Sequence, residues 1–377
     1  MKKIDLLFFD AGGGHRSAAT ALRQVIEQQG RAWDVRLVNL QEVLDSLDIF
    51  RKLTGIRMED IYNLLLKKGW TLGSPQLTRA MHGIIRMYHP AQVRVLRKFW
   101  KTSQPDLVVS VIPNFNRAIH RSLPFGTPMV TILTDLADYP PHFWMERQEQ
   151  YWICGTDRAV TQAQALGHSP EKIFQTSGMI LHPRFYDPVA VDHRAERQRL
   201  GLSPDLPTGL VLFGGHGSGV MIEIANRLQA SELKLQLMFV CGHSKKLAEA
   251  LRRIHGPVPM YIEGFTKEIP YLMRLADFFI GKPGPGSISE ALAMRLPVIV
   301  ERNAWTLPQE RYNAEWIREQ GVGLVLRNFR EIAAAVRQLL KPDQYRRFRE
   351  KAAALNNRAV FEIPDILEQI LAGHQRP

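Results

Sequence analysis

Residues 281–297 read Gly-Lys-Pro-Gly-Pro-Gly-Ser-Ile-Ser-Glu-Ala-Leu-Ala-Met-Arg-Leu-Pro. An apolar run, Ala276 to Ile280, leads into them, and a second, Pro297 to Val300, leads away. Between the runs the pattern Ile288 to Met294 has helical spacing, so one short stretch spells strand, glycine turn, helix, strand. A glycine-rich turn that opens into a helix presents backbone N–H groups and the positive end of the helix dipole, which suits phosphate. Gly284, Gly286 and Ser287 stand where a diphosphate would lie. Glu290 falls one turn further on, where a carboxylate can accept two hydrogen bonds from a ribose diol. The stretch reads as a holder for a nucleotide diphosphate, most simply a nucleotide-sugar.

The same signal occurs twice more. The apolar run Ile4 to Phe9 is followed by Asp10-Ala11-Gly12-Gly13-Gly14-His15-Arg16 and a helix pattern, Ser17 to Gln29. Leu210 to Phe213 runs into Gly214-Gly215-His216-Gly217-Ser218-Gly219, with a helix from about Val220. One such loop is weak evidence, because α/β proteins use glycine for tight turns alone. Three of them, two containing a histidine, point to a shared site.

The strands alternate with helices over almost the whole chain. Twelve are expected: Ile4–Phe9, Val35–Leu40, Leu107–Ile112, Met129–Leu133, Tyr151–Cys154, Lys172–Gln175, Gly209–Phe213, Leu235–Val240, Pro259–Glu263, Phe278–Ile280, Pro297–Val300 and Gly323–Val325. The polar stretch Arg184 to Pro207 separates six from six. At 377 residues the chain divides into two domains, each the size of a doubly wound parallel sheet. Two such sheets face each other across a cleft, and all three glycine loops would line it. Residues from about Ala333 to Ala372 look all helical.

Two cysteines, Cys154 and Cys241, argue against a disulfide framework and a thiolate metal site, and fit a reducing compartment. The start, Met1-Lys2-Lys3 and a short apolar run, is too brief for a signal-peptide core, and no run approaches a membrane span. A cytoplasmic protein is expected. Formal net charge is +12, and residues 51–101 hold eleven Lys or Arg against two acids. Interleaved there are Trp70, Tyr88, Phe99 and Trp100. That mixture suits an anionic membrane surface, or nucleic acid; ordinary amphipathic helices with solvated basic faces are the plain alternative.

These residues resemble a known group, the GT-B glycosyltransferases of family 28. It includes the lipid II-forming N-acetylglucosaminyltransferase and the mono- and diglycosyl-diacylglycerol synthases. Gly12-Gly13-Gly14-His15-Arg16 with Ser17-Ala18-Ala19 is similar to the N-terminal loop of the diacylglycerol branch. Thr134-Asp135-Leu136 with His142 and Trp144 resembles a second segment, residues 281–292 the donor motif, and Pro308-Gln309-Glu310 with Asn313 the sequence after it. The chain departs from the pattern at Asp10-Ala11, at the order Pro140-Pro141-His142-Phe143-Trp144, and at His216.

The resemblance implies a GT-B architecture. Residues 1–184 would form the acceptor domain and 185–357 the donor domain, with a final helix, about 358–377, packed back on the first. It implies an inverting enzyme that moves a hexose from a UDP-sugar to a lipid hydroxyl, that of diacylglycerol, on the inner face of the cytoplasmic membrane. No cofactor, metal or nucleic acid is expected, and no Asp-x-Asp triplet occurs.

An acceptor hydroxyl must lose a proton as it attacks, and a leaving diphosphate must be held. Asp135 and His15 are both placed for the first task; the resemblance gives the base to Asp135 and a contact with acceptor or diphosphate to His15. Gly13, Gly14, His142 and Trp144 would line the acceptor path. Gly214, Gly215, Gly284, Gly286, Ser287 and Glu290 would hold the nucleotide, Phe265 the uracil, and Gln309 and Glu310 the sugar hydroxyls. Helix caps, turn aspartates and a core phenylalanine are the structural alternatives for His15, Asp135 and Phe265. Rival readings are a UDP-sugar epimerase, a transferase with a non-lipid acceptor, an NAD-dependent oxidoreductase and a nucleic-acid binder. The run Val35 to Leu40 lacks the acid that the oxidoreductase needs at its second strand.

Overall fold

The computed structural model describes residues 1–10, 13–47, 74–140, 142–187 and 192–374. The first part of the basic stretch, 51–73, and Gly12 lie outside the described residues. Within them, twelve strands form two six-stranded sheets, parallel at every pairing. The first contains β1 (Lys2–Phe8), β2 (Trp33–Asn39), β3 (Leu107–Ser110), β4 (Met129–Ile132), β5 (Tyr151–Cys154) and β6 (Ile173–Gln175). Its spatial order is β2-β1-β3-β4-β5-β6. The second contains β7 (Thr208–Leu212), β8 (Gln236–Val240), β9 (Met260–Glu263), β10 (Phe278–Gly281), β11 (Val298–Glu301) and β12 (Gly323–Leu326). Its order is β12-β11-β10-β7-β8-β9.

A parallel sheet is covered by helices on both faces, so its strands are apolar on both. Every residue of β3, β4, β7, β8 and β10 is buried. Adjacent residues of one strand enter opposite layers: Phe278 packs with Phe239 and Ile224, Phe279 with Met238 and Ile288.

Helix starts differ from the pattern. The helix Gly14–Gln28 begins three residues before Ser17, because Gly13, at φ 79°, closes the loop. His15 therefore sits in the first helical turn. The helix Pro285–Ala293 begins before Ile288, since proline's fixed φ suits the first helical position. The region expected to be helical throughout is three helices, Ile332–Leu339, Pro342–Ala354 and Ala359–Gly373, interrupted before Pro342 and at Asn356-Asn357.

The last of these helices leaves the second sheet and packs on the first. Ile363, Leu367, Ile370 and Leu371 join Ile4, Leu6, Leu107 and Val109 in one core. Arg31 holds the helix's outer face through Glu368 at 2.7 Å and through Asp365. Leu367→Ala should thus destabilise the first sheet by about 2–5 kcal/mol, the range for a buried leucine. Urea unfolding followed by the fluorescence of Trp152, which lies in that sheet, reads it; an unchanged midpoint would remove the helix from the core.

Candidate functional site

In each sheet the chain reverses its order at one place, and the crevice outside the carboxyl ends of the flanking strands is where ligands bind in such sheets. The first sheet reverses between β1 and β3, the second between β7 and β10. The chain just after β1 and β4 carries His15, in the first turn of its helix, and Asp135; that after β7 and β10 carries Gly214-Gly215 and Gly284 to Gly286, where the next helix starts.

On the first sheet, His15 Nδ1 lies 3.2 Å from Thr134 Oγ1, and its ring is 6.0 Å from that of Trp144. Trp144 Nε1–H donates to Asp135 Oδ2 at 2.8 Å. Burial pushes the Asp135 carboxyl up to about 7, against the Trp144 hydrogen bond, which pulls it down. Burial also holds His15 down at about 4, against a hydrogen bond to the Val111 backbone. Near neutral pH the imidazole is therefore uncharged and Asp135 is balanced between acid and carboxylate, which suits a general base.

Trp144 is 1% exposed, so it does not line a path to solvent; it orients Asp135. Its own position comes from residues that carry no motif. The Asp138 carboxylate accepts the N–H groups of His142 at 2.9 Å, Trp144 at 2.7 Å and Met145 at 3.3 Å. Asn116 donates through Nδ2 to the carbonyl of Trp144 at 3.3 Å and to that of Ile112 at 3.0 Å. Both Asp138 and Asn116 are buried. The only local signal is the four-residue spacing of Asp138 and His142, which matches a carboxylate folding a turn around itself. His142 sits at φ 67° with its side chain exposed.

On the second sheet, the helix Pro285–Ala293 begins with no side chain capping it. The first N–H groups of a helix lack intrahelical partners, and here they include those of Gly286 and Ser287. The preceding turn is fixed by Asn313 Nδ2–H, which donates to the Pro283 carbonyl at 2.8 Å. Lys282 Nζ meets Glu310 Oε1 at 2.6 Å, so one oxygen of Glu310 is already engaged. Gln309 shares the short turn Pro308–Glu310 with it. The Glu290 carboxyl has no hydrogen-bond or ion-pair partner among the described residues, and burial pushes it up to about 7. A diol bonded to its charged form would draw that value down. Phe265 is 57% exposed, which excludes a core role.

The two halves meet at this point. Glu310 raises and Lys282 lowers the Asp135 carboxyl electrostatically, so the ion pair on the second sheet faces the buried aspartate. Leu136 and Ala137 pack on Tyr312, joining the segment that follows Asp135 to the second sheet. Gly13 and Gly14 border His15 at the helix start, while Gly214, at φ 76°, approaches Lys282.

The model of the glycosyltransferase family 28 C-terminal domain matches residues 210–370, and that of monogalactosyldiacylglycerol (MGDG) synthase matches residues 15–179. The chain is 29% identical over 362 residues to the chloroplastic monogalactosyldiacylglycerol synthase of Spinacia oleracea, covering 90% of this chain and 66% of that one. It thus spans just under two thirds of that relative. In fold it is similar to MurG from Acinetobacter baumannii, with a TM-score of 0.65, 13% identity, and coverage of 98% and 100%. It is also similar to CalG4, the calicheamicin glycosyltransferase, with a TM-score of 0.63, 16% identity, and coverage of 100% for both chains. Those identities speak for the fold alone. One family model thus lies over each sheet, and the chain is a glycosyltransferase of GT-B architecture whose first half is similar to monogalactosyldiacylglycerol synthase and whose second is similar to the C-terminal domain of glycosyltransferase family 28.

Proposed function

We propose that this transferase moves a hexose from a UDP-sugar to a lipid hydroxyl, that of diacylglycerol, with inversion at the anomeric carbon. The observation that carries the reading is a buried Asp135, hydrogen-bonded by Trp144 and facing the Lys282–Glu310 pair. Asp135 takes the proton of the acceptor hydroxyl as its oxygen bonds to the anomeric carbon. The bond from that carbon to the diphosphate breaks, and UDP leaves with the electron pair. The N–H groups of Gly286 and Ser287, with Lys282, meet its charge, so no metal is invoked. Glu290 grips the ribose, Phe265 the uracil, and Gln309 with Glu310 the sugar. Neutral His15, beside Gly13 and Gly14, orients the acceptor, and His142 stands at its entrance.

The lipid acceptor draws support from the helix Ser74–Ser103, which contains no acidic residue. Arg86, Arg94, Arg97, Lys98 and Lys101 are exposed on it, as is Met87 at 68%. No helix among the described residues is long and apolar enough to cross a membrane. We place the enzyme on the surface of an anionic membrane, the cytoplasmic face of the cell membrane, held by this helix.

Incubation with labelled UDP-galactose, UDP-glucose or UDP-N-acetylglucosamine and a total lipid extract should yield a labelled lipid. Label released as free sugar, or converted to another UDP-sugar, would sink the proposal. Vesicles with phosphatidylglycerol should sediment the protein at low salt and much less at high salt. Each cation near such a surface contributes about 1 kcal/mol, so Arg94, Lys98 and Lys101 changed together to Gln should weaken binding by on the order of a hundredfold. Equal sedimentation of the variant would make the helix a solvated face.

Asp135→Asn should lower turnover by roughly 10²–10⁴-fold with donor binding retained. Since the base acts as a carboxylate, kcat/KM should rise with pH through about 7 and then level off. Trp144→Phe removes the hydrogen bond that favours the carboxylate, so the rising limb should move to higher pH. A limb that stays in place in Trp144→Phe would detach it from Asp135.

A further inference from the structure

Strands β7, β8 and β9 lie side by side, and the loops at their carboxyl ends carry His216, His243 and Phe265. The first two loops are locked together. The His243 N–H donates to the Gly215 carbonyl at 2.8 Å. Gly242, at φ 57°, leaves no room for a side chain, because a Cβ there would lie 2.1 Å from that same oxygen. This fixes the two imidazoles with ring centroids 6.1 Å apart. Phe265 stacks flat on His243, with centroids 4.0 Å apart and planes inclined by 16°. Both imidazoles are exposed, and neither has a hydrogen-bond or ion-pair partner among the described residues.

Among the described residues, the charged groups around the pair leave it without a free carboxylate. On the β10 side, Lys282 approaches Gly214, and Glu310 is bound to that lysine at 2.6 Å. Lys245 and Lys246 open the helix after His243. On β9, Glu263 uses one oxygen for the Tyr261 hydroxyl at 2.6 Å and the other for the Gly264 N–H at 2.8 Å. In the helix after His216, Glu223 is bound to Arg227 at 2.8 Å. Two imidazoles held this close repel each other once both are protonated, and the neighbouring lysines add to that repulsion. An anion with two adjacent charges, one for each ring, relieves it.

We propose that His216 and His243 clamp the diphosphate of the donor as a proton-linked pair, with Phe265 supporting His243. This rests on the reading of the chain as a UDP-sugar transferase, and adds two side chains to a site otherwise built from backbone and Lys282. Histidine is the side chain whose ordinary titration lies between pH 5 and 8. The bound anion favours the protonated rings, so the clamp is strongest in mild acid and weakens as the pH rises. Glu290 acts in the opposite sense, because it must be ionised to grip a ribose, so the clamp is read by comparing wild type with variants that keep Glu290.

Calorimetry with UDP-galactose and UDP-glucose at about pH 6 and about pH 8 tests this, since the diphosphate of a sugar nucleotide keeps its charge over that range. The ratio of affinity at pH 6 to that at pH 8 should be roughly tenfold greater in the wild type than in H216N/H243N, the scale of a charged hydrogen bond. The single variants should fall between. Both rings are exposed, so folding should survive, as thermal melts would verify. Should the double variant fail to fold, the single variants carry the comparison. An equal ratio in wild type and variants, with binding intact, overturns the clamp and leaves the donor reading standing. No binding of either nucleotide to the wild type at either pH overturns both.

Discussion

Parallel pairing sends the carboxyl end of every strand to the same edge of its sheet, and the site depends on that constraint. A strand can return to its starting edge only through a crossover, so connections cover both faces and functional loops collect along one edge. The reversals between β1 and β3 and between β7 and β10 then open one crevice in each sheet. His15 and Asp135 stand at the first, and Gly214, Lys282 and Ser287 at the second. The electrostatic influence of Glu310 and Lys282 on Asp135 is the sign that the two edges face each other.

Within the first half, one carboxylate fixes the surroundings of another. Asp138 gathers three backbone N–H groups and so fixes Trp144, whose indole N–H reaches Asp135. Asp135 is moved by burial from 3.8 to about 7, a differential of roughly 4 kcal/mol between its two protonation states. The folded-state value lies above the unfolded one, so the native chain binds the proton more tightly. Stability from this group is full below 3.8 and is lost as the pH rises towards 7. A buried carboxyl that weakens the fold as it ionises is a candidate functional group.

Much of the architecture was legible in local pattern. All twelve strands announced themselves as apolar runs, and residues 281–297 showed their strand, glycine turn, helix and strand in order, because glycine, proline and helix periodicity are local signals. Helix starts were less legible, since Gly13 takes a left-handed turn that Gly14 does not, and nothing in the letters separates them. Trp144 looked like a wall of the acceptor path, but burial is a property of the assembled fold. Asp138 and Asn116 carry no motif; their roles depend on partners brought from other loops. The pairing of Lys282 with Glu310 spans 28 residues and became visible only when β10 and the turn after β11 were side by side.

The helix Ala359–Gly373 gives the chain a closed topology, with consequences for its synthesis. Four of its apolar side chains belong to the core beneath β1 and β3, strands that leave the ribosome roughly 350 and 250 residues earlier. A nascent first sheet must therefore wait, with one apolar face incompletely covered, while the whole second sheet is translated. During that interval the exposed layer is open to wrong partners, including the apolar faces of the second sheet as they emerge. Correct assembly is thus a matter of timing as much as of contacts, and the final turns of helix act as the clasp that ends the exposure.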